Sequence, residues 1–506
     1  MPAKRFGLFI IISLLILISA GLRLWRLGGE AVYCDEMASL QHIHAPSLME
    51  FLRLERRSDP PMSPVYFILE YCWGRVVGGS FYGIRLLSLA FGLASIPLLF
   101  WLTRMLYGTF GGLVAAGCLG LSVGHIYFSQ EVRPYALILF LALVSNISLW
   151  KALGGAKPRW WVLNFAANAC LLFTHLFTVL FVFSQFVYLF FHGLSKKRRR
   201  PFLLWSVSHL PLAVPYVLWY LSIEKDQLEL AALWRHQIVH SYLQPLGDLL
   251  LFAGAGVPTF RDLPLAGGIN IGGIAWRLFL AALMLNAALT FHHWRRNRKG
   301  PAAAFVFLAT LLAVPSATLF LVSALLYTCH SCRYVIFGMI PFLALVGGSV
   351  AMAPGRPAKG LLAAVLCCFY LANLYAHPKP WRPDIAAAAE SIDSRLDARA
   401  GRMIVLHSAD APTLAFNGHP RLAGLETRCV NLIKDIPGII PVSDPAAPPT
   451  WMVIFLHQLQ PPALVPVEQD LERKGWRFTR KMFGYTNPIY VYELQCDRGP
   501  QSVSTL

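Results

Sequence analysis

Eleven stretches of this 506-residue chain are apolar over lengths that a membrane accommodates best. A hydrocarbon core of ~30 Å takes about 20 helical residues to cross. Runs near 6–27, 83–103, 110–125, 135–150, 161–174, 176–192, 202–222, 274–292, 302–327, 334–351 and 361–376 approach or meet that length. Inside hydrocarbon every backbone N–H and C=O must be paired within its own segment, so the runs are expected as α-helices. Hydrophobic residues make up 56% of the chain and charged residues only 14%, too little charge for a soluble protein of this size. The expectation is an all-α polytopic membrane domain of about 11 transmembrane helices over residues 1–376. Its first run follows Met1-Pro2-Ala3-Lys4-Arg5 without a small-x-small cleavage site, which predicts an uncleaved anchor in place of a signal peptide.

Charge sets the direction of the spans. The formal net charge is +18, but the basic residues sit in short clusters between apolar runs, not in a nucleic-acid-binding stripe. With the N-terminus in the cytoplasm, the inner segments carry Lys4 and Arg5, Arg104, Lys151, Lys157 and Arg159, Lys196 to Arg200, Arg295 to Lys299, and Arg356 with Lys359. That alternation follows the positive-inside rule. It requires two short spans within 161–192, turning near Thr174-His175, and it requires Val65–Val77 to lie on or dip into the membrane without crossing.

Three outward segments are then too long for plain turns: loops 28–82 and 222–273, and the C-terminal stretch 377–506. The last reads as a small α/β extracytoplasmic domain. Helices are expected over Asp384–Arg399 and Leu464–Lys474, and short buried strands over Met403–Leu406, Trp451–Leu456 and Ile489–Leu494. Cys429 and Cys496 share that domain, and a disulfide between them is open in an oxidising compartment. Cys329-His330-Ser331-Cys332 has metal-like spacing but is an incomplete zinc set.

Clustered polar residues at the outer boundary are the candidates for chemistry, because charge there is costly unless solvated or paired. Asp35, followed by Glu36, stands shortly after the first span. It reads either as the N-cap of a helix through Met37–Leu40 or as a carboxylate fixed at the membrane surface to take a proton. Arg133, in Ser129-Gln130-Glu131-Val132-Arg133-Pro134-Tyr135, and Arg333, next to Tyr334, are cations on the side where the positive-inside bias disfavours them. Each reads as a snorkelling anchor or as a fork of donors for a lipid phosphate. Thr174-His175 at an outer turn is the weaker signal, a lone His there being mostly structural. Asp59-Pro60-Pro61 is a rigid turn that either places Asp59 at the surface or only reverses the chain.

These residues in this order resemble the bacterial GT-C membrane glycosyltransferases of the dolichyl-phosphate-mannose–protein mannosyltransferase and aminoarabinose transferase group. The resemblance is carried by Asp35-Glu36, by Asp59 through Tyr66, by Arg85-Leu86-Leu87-Ser88 with Ser95 to Leu98, by Tyr127 through Leu137, by Thr174-His175, and by Cys332-Arg333-Tyr334 with Pro341-Phe342. It covers roughly residues 6–350. It implies a GT-C-type helical domain that transfers a hexosyl or pentosyl group from a polyprenyl-phosphate donor to a lipid, protein or glycan acceptor. The site would face outward from a bacterial inner membrane. It also implies Asp35 as general base with Glu36 beside it, and Arg133, Tyr135, Arg333, Tyr334, His175 and Asp59 as substrate-binding residues. Many relatives carry His before the Pro-Pro pair where this chain has Asp59, so a divalent metal stays an open question and no cofactor is expected. The competing readings are a lipid or glycan flippase, which ordinarily shows internal repeats and broken spans, a non-catalytic scaffold, and a transferase using a diphosphate-linked donor.

Overall fold

The protein is described by a computed structural model over residues 2–25, 27, 36, 39–40, 42–58, 64–155, 157–195, 199–222, 284, 288–289, 292, 299–326, 336–376, 385–394, 402–406, 422, 426–430, 450–455, 464–483 and 489–496. By contacts the chain divides into two units: Met1–Leu27 with Ser39–Pro378, and Gly28–Ala38 with Lys379–Leu506.

The first unit is helical. Its elements are α1 (Pro2–Leu24), α2 (Leu48–Ser58), α3 (Pro64–Val77), α4 (Phe81–Tyr107), α5 (Thr109–Leu121), α6 (Val123–Ser129), α7 (Tyr135–Leu153), α8 (Arg159–Leu172), α9 (Thr178–Ser195), α10 (Arg200–Leu221), α11 (Lys299–Leu326), α12 (Met339–Met352) and α13 (Gly355–Ala376). Among the described residues six helices are long and apolar enough to cross a membrane, and the bent pair α5–α6 makes a seventh. Of the eleven expected spans, ten have helix over them, several short; the run 274–292 falls mostly outside the described residues. The turn expected near Thr174-His175 is present, since α8 stops at Leu172 and α9 starts at Thr178. The chain is that of a multi-span membrane protein, with a helical domain and a small α/β domain.

Local chemistry explains the breaks. Ser80 caps α4, its hydroxyl accepting from the Gly83 N–H at 3.2 Å. Between α4 and α5 stands Gly108 at φ 88°, a left-handed conformation that a residue with a Cβ adopts at a cost. Ser122 ends α5 and caps α6, accepting from the His125 N–H at 3.3 Å, and the two helices meet at a 63° bend. Close approach of α5 to α12 depends on small residues: a Cβ on Gly111 would lie 2.9 Å from the Gly347 carbonyl oxygen. Such contacts carry helix association where lipid removes the hydrophobic drive. Around them, side chains of α4, α5, α7, α9, α11 and α12 form the apolar core, with Leu102, Leu139, Leu143, Phe307 and Leu343 inaccessible or nearly so.

A second kind of adhesive joins α7 to α10. Asn164 donates to the Ser145 hydroxyl at 2.9 Å and to Gln185 at 3.2 Å. Asn168 donates to Gln185 at 3.0 Å and meets His209 Nε2 at 3.0 Å. Gln185 donates to Ser145 and Asn146, and the Trp205 indole donates to Asn164 at 2.9 Å. Four spans are thereby linked by neutral groups that serve one another.

The second unit holds a five-stranded sheet with α14 (Ile385–Asp393) and α15 (Val465–Arg473). Its strands β1 (Arg402–Leu406), β2 (Glu426–Val430), β3 (Thr450–Phe455), β4 (Trp476–Phe483) and β5 (Ile489–Cys496) run in the order β2-β1-β3-β5-β4. β1 lies parallel to β2 and β3, and β5 runs antiparallel to β3 and β4. The expected helices and strands coincide with α14, α15, β1, β3 and β5; β2 and β4 were not anticipated. Strand order also bears on the cysteine pairing that the sequence left open. Cys429 on β2 and Cys496 on β5 are three strand spacings apart, about 14 Å at least, whereas a disulfide needs Cα atoms within about 7 Å. The sheet therefore keeps this pair from bonding. On its α15 side, Glu468 accepts from Arg480 at 2.5 Å and from the Tyr492 hydroxyl at 2.8 Å, and burial raises the Tyr492 phenol above its ordinary pKa.

Candidate functional site

Polar side chains that are far apart in sequence collect at the end of the bundle where α1 stops. The turn 130–134, between α6 and α7, is its centre. Arg133 is 7% exposed there and Glu131 is 2% exposed, unusual burial for ionisable groups in a membrane protein. The turn is fixed through its backbone: the Arg133 N–H donates to the Glu131 carbonyl at 2.8 Å, and the Ser88 hydroxyl of α4 donates to the Arg133 carbonyl at 3.4 Å. Ser88 also meets the Tyr66 hydroxyl of α3 at 3.3 Å. A chain of contacts thus runs from α3 through α4 to the turn.

Tyr66 belongs to the buried face of α3, which continues through Phe67 and Glu70 to Gly74, the i, i+4 spacing of one helix stripe. The N-terminus of α3 is tied to the α8–α9 turn, where the Val65 N–H donates to the Phe173 carbonyl at 2.9 Å. That turn carries His175, half-buried, with its ring 6.1 Å from the ring of Tyr135 at the start of α7. His175 Nδ1 accepts from the Phe177 N–H at 3.2 Å, so Nε2 bears the ring proton when the imidazole is neutral. Arg85, fully buried one turn before Ser88, donates to the Leu27 carbonyl at 2.7 Å and stacks 3.8 Å over the Phe81 ring.

Of the residues expected from sequence, Arg133, Tyr135 and His175 are brought to this end together. Glu36 is fully buried and belongs by contacts to the unit of residues 28–38 and 379–506. Asp35, Asp59, Arg333 and Tyr334 lie outside the described residues. Among the described residues no three His, Cys, Asp or Glu side chains gather as metal ligands would. Sequence reasoning passed over Arg23, Arg85, Glu70, Glu131 and His125 as site residues. The signal available for them was an ionisable side chain inside or at the edge of an apolar run, which is expensive there and calls for a reason.

The fold and this site define a class: a polytopic membrane protein with a polar, arginine-bearing end. Comparison with known proteins narrows it. Residues 59–219, about a third of the chain, match the family model described as dolichyl-phosphate-mannose-protein mannosyltransferase, a segment that lies within the resemblance read over roughly residues 6–350 and includes Arg133, Tyr135 and His175. Among solved structures, the oligosaccharyltransferase of Archaeoglobus fulgidus, tethered to an acceptor peptide, aligns at a TM-score of 0.51 and 10% identity, over 96% of this chain and 74% of that one; it shares the fold. ArnT from Cupriavidus metallidurans aligns at 0.46 and 13% identity in the apo state, over 98% of this chain and 100% of that one. Its undecaprenyl phosphate-bound form aligns at 0.45 and 13%, over 99% of each. No curated protein matches the chain.

Proposed function

We propose that this protein is an inverting membrane glycosyltransferase that moves a sugar from a polyprenyl-phosphate donor to an acceptor at the outer face of a bacterial inner membrane. The observation that carries the reading is Arg133: a buried guanidinium in a short turn between spans, with Tyr135 and His175 at the same end, inside the segment that matches the mannosyltransferase family. A lipid tail fits among apolar spans while its phosphate takes up position beside a fixed cation.

The chemistry follows. Asp35 takes the proton of the acceptor hydroxyl, whose oxygen attacks the anomeric carbon. The bond from that carbon to the phosphate oxygen breaks on the opposite face, and polyprenyl phosphate leaves with the electron pair. Attack from one face and departure from the other inverts the centre, the logic of single displacement at a glycosidic carbon. Arg133 and Arg333 stabilise the phosphate oxygens as charge develops, an effect worth more in a dry site than in water. Glu36 stands beside the base, Asp59 and Tyr334 complete the donor and acceptor contacts in this scheme, and no metal is required by it. The acceptor is a lipid, a protein or a glycan.

The test is sugar transfer by the purified protein in lipid, with labelled polyprenyl-phosphate sugars and a cell-envelope extract of proven acceptor content, comparing wild type with Asp35→Asn. Transfer that collapses in a folded, donor-binding variant supports the assignment. Surviving activity removes Asp35 as the base, and inactive wild type with every donor overturns the reading.

A further inference from the structure

Arg23 is the least expected side chain of the bundle. It sits in the last turn of α1, fully buried, and among the described residues its partners include no carboxylate. Its Nε donates to the Ser129 hydroxyl at 3.3 Å. One terminal nitrogen donates to the Ser19 and Gly120 carbonyls at 3.1 and 3.0 Å. The other donates to the Leu119 carbonyl at 3.4 Å and meets His125 Nδ1 at 2.6 Å. Arginine has five N–H donors and no acceptor, so His125 Nδ1 accepts and its ring proton sits on Nε2. The five donors and the five contacts match in number, which leaves none to reach a ligand.

The identity of those acceptors explains the missing counterion. Leu119 and Gly120 belong to the last turn of α5, next to the 63° break. Carbonyls there have lost their i+4 helical partners, the Leu119 oxygen keeping the Ser122 N–H at 3.3 Å, and they form the negative end of the helix dipole. Arg23 caps them from another helix. The favour is returned: the Gln130 amide donates to the Arg23 carbonyl at 2.5 Å and to the Trp25 carbonyl at 3.4 Å, which are the orphaned acceptors at the end of α1. Each helix end is thus capped by a side chain of the other segment. Ser129 completes the lock, accepting from Arg23 while donating to the His125 carbonyl at 2.5 Å. Beneath it Gly92 of α4 leaves room, since a Cβ at that position would lie 2.7 Å from the Ser129 Cβ.

We infer that Arg23 and Gln130 form a reciprocal cap that holds the turn 130–134 in place, so that Arg23 is a positioning residue for Glu131 and Arg133 and does not itself contact the donor phosphate. The inference rests on the proposed function for what the turn binds; the cap itself does not depend on it. A lysine at position 23 keeps the charge but gathers its donors on one nitrogen, where the guanidinium reaches five acceptors from three nitrogens.

The full-length protein in lipid nanodiscs is the sample, with wild type, Arg23→Lys, Arg23→Gln, Gln130→Ala and the Arg23→Gln/Gln130→Ala double variant. Two measurements are made: hydrogen exchange of the amides at 131–133 against those at 138–150, and binding of an unlabelled polyprenyl monophosphate. The cap predicts exchange at 131–133 faster by about tenfold or more in each variant, unchanged exchange in α7, and polyprenyl phosphate affinity reduced by about tenfold. A misplacement of 1 Å is enough for losses up to about a hundredfold. It also predicts that Arg23→Lys does not rescue and that the double variant is no worse than the stronger single one. Exchange and affinity both at wild-type level in Arg23→Lys would reduce Arg23 to a charge and overturn the inference. So would lost affinity in Arg23→Gln with an unaltered turn, which would make Arg23 a phosphate ligand. If the Arg23 variants do not fold, Gln130→Ala decides by the same two readouts. Wild type that binds no polyprenyl phosphate while Gln130→Ala loosens the turn would sink the proposed function and leave the cap supported.

Discussion

The α7–α10 layer and the end of the bundle at α1 both bury polar side chains, but they do so with different chemistry. In the layer the groups are amides, hydroxyls, an indole and an imidazole, all neutral in this arrangement, and they satisfy one another: Ser145, Asn164, Asn168 and Gln185 form a closed set that Trp205 and His209 extend. At the α1 end the groups are Arg23, Arg85, Glu131 and Arg133, all buried. Neutral polar pairs between spans contribute about 0.6–2 kcal/mol each and hold helices together. Buried charges in a membrane cost more than neutral ones and are kept where a site uses them. The layer is therefore adhesive, and the α1 end is machinery together with the cap that holds it.

The comparison makes graded predictions. The largest effect belongs to Arg133→Gln. It should lower sugar transfer per folded molecule by about 10²–10³, the loss typical of removing one charge-stabilising donor, while thermal unfolding in detergent moves little. A variant that transfers sugar normally would place the α1 end in the adhesive class. Next comes Gly92→Ala, whose methyl group meets Ser129. Transfer should fall by about tenfold, equivalent to about 1.4 kcal/mol, with a smaller loss of stability; the ratio of the two effects is the measurement. Asn168→Leu should do the reverse. It takes three hydrogen bonds from the closed layer and should cost about 1–2 kcal/mol of stability, read as a lower unfolding temperature, with transfer per folded molecule unchanged. Smallest is Trp205→Phe, which keeps an aromatic ring but removes the donor to Asn164, at about 0.6 kcal/mol. Loss of transfer in either layer variant at full folding would break the distinction.

Much of the bundle was legible because a span is a local property. Length and hydropathy within one window placed ten of the eleven runs, whereas the α4 boundaries at Ser80 and Gly108, set by capping and left-handed backbone, were not read. The site was legible in part. Arg133, Tyr135 and His175 were picked out by type and by place in the topology, and they do converge. Arg23 was read only as the tail of an apolar run, because its partners Ser129 and Gly120 lie 106 and 97 positions away. In the second unit β1, β3 and β5 were read from apolar runs. Strands β2, Glu-Thr-Arg-Cys-Val, and β4, Trp-Arg-Phe-Thr-Arg-Lys-Met-Phe, were not. They occupy the two edges of the sheet, where polar side chains are tolerated and no apolar signal is required.

By itself the sequence determined that the chain spans a membrane repeatedly, roughly where most of the spans lie, and a family resemblance over roughly residues 6–350, within which residues 59–219 match the family model. Transfer free energy and helix capping act over one or two turns, so they leave their mark on consecutive residues. Tertiary structure alone decided which helix-end carbonyls Arg23 caps, that polar side chains from four helices close into one network, and that Cys429 and Cys496 are held apart. Those outcomes depend on pairings between distant segments, fixed by backbone hydrogen bonds and close packing, for which no local pattern in the chain is a record.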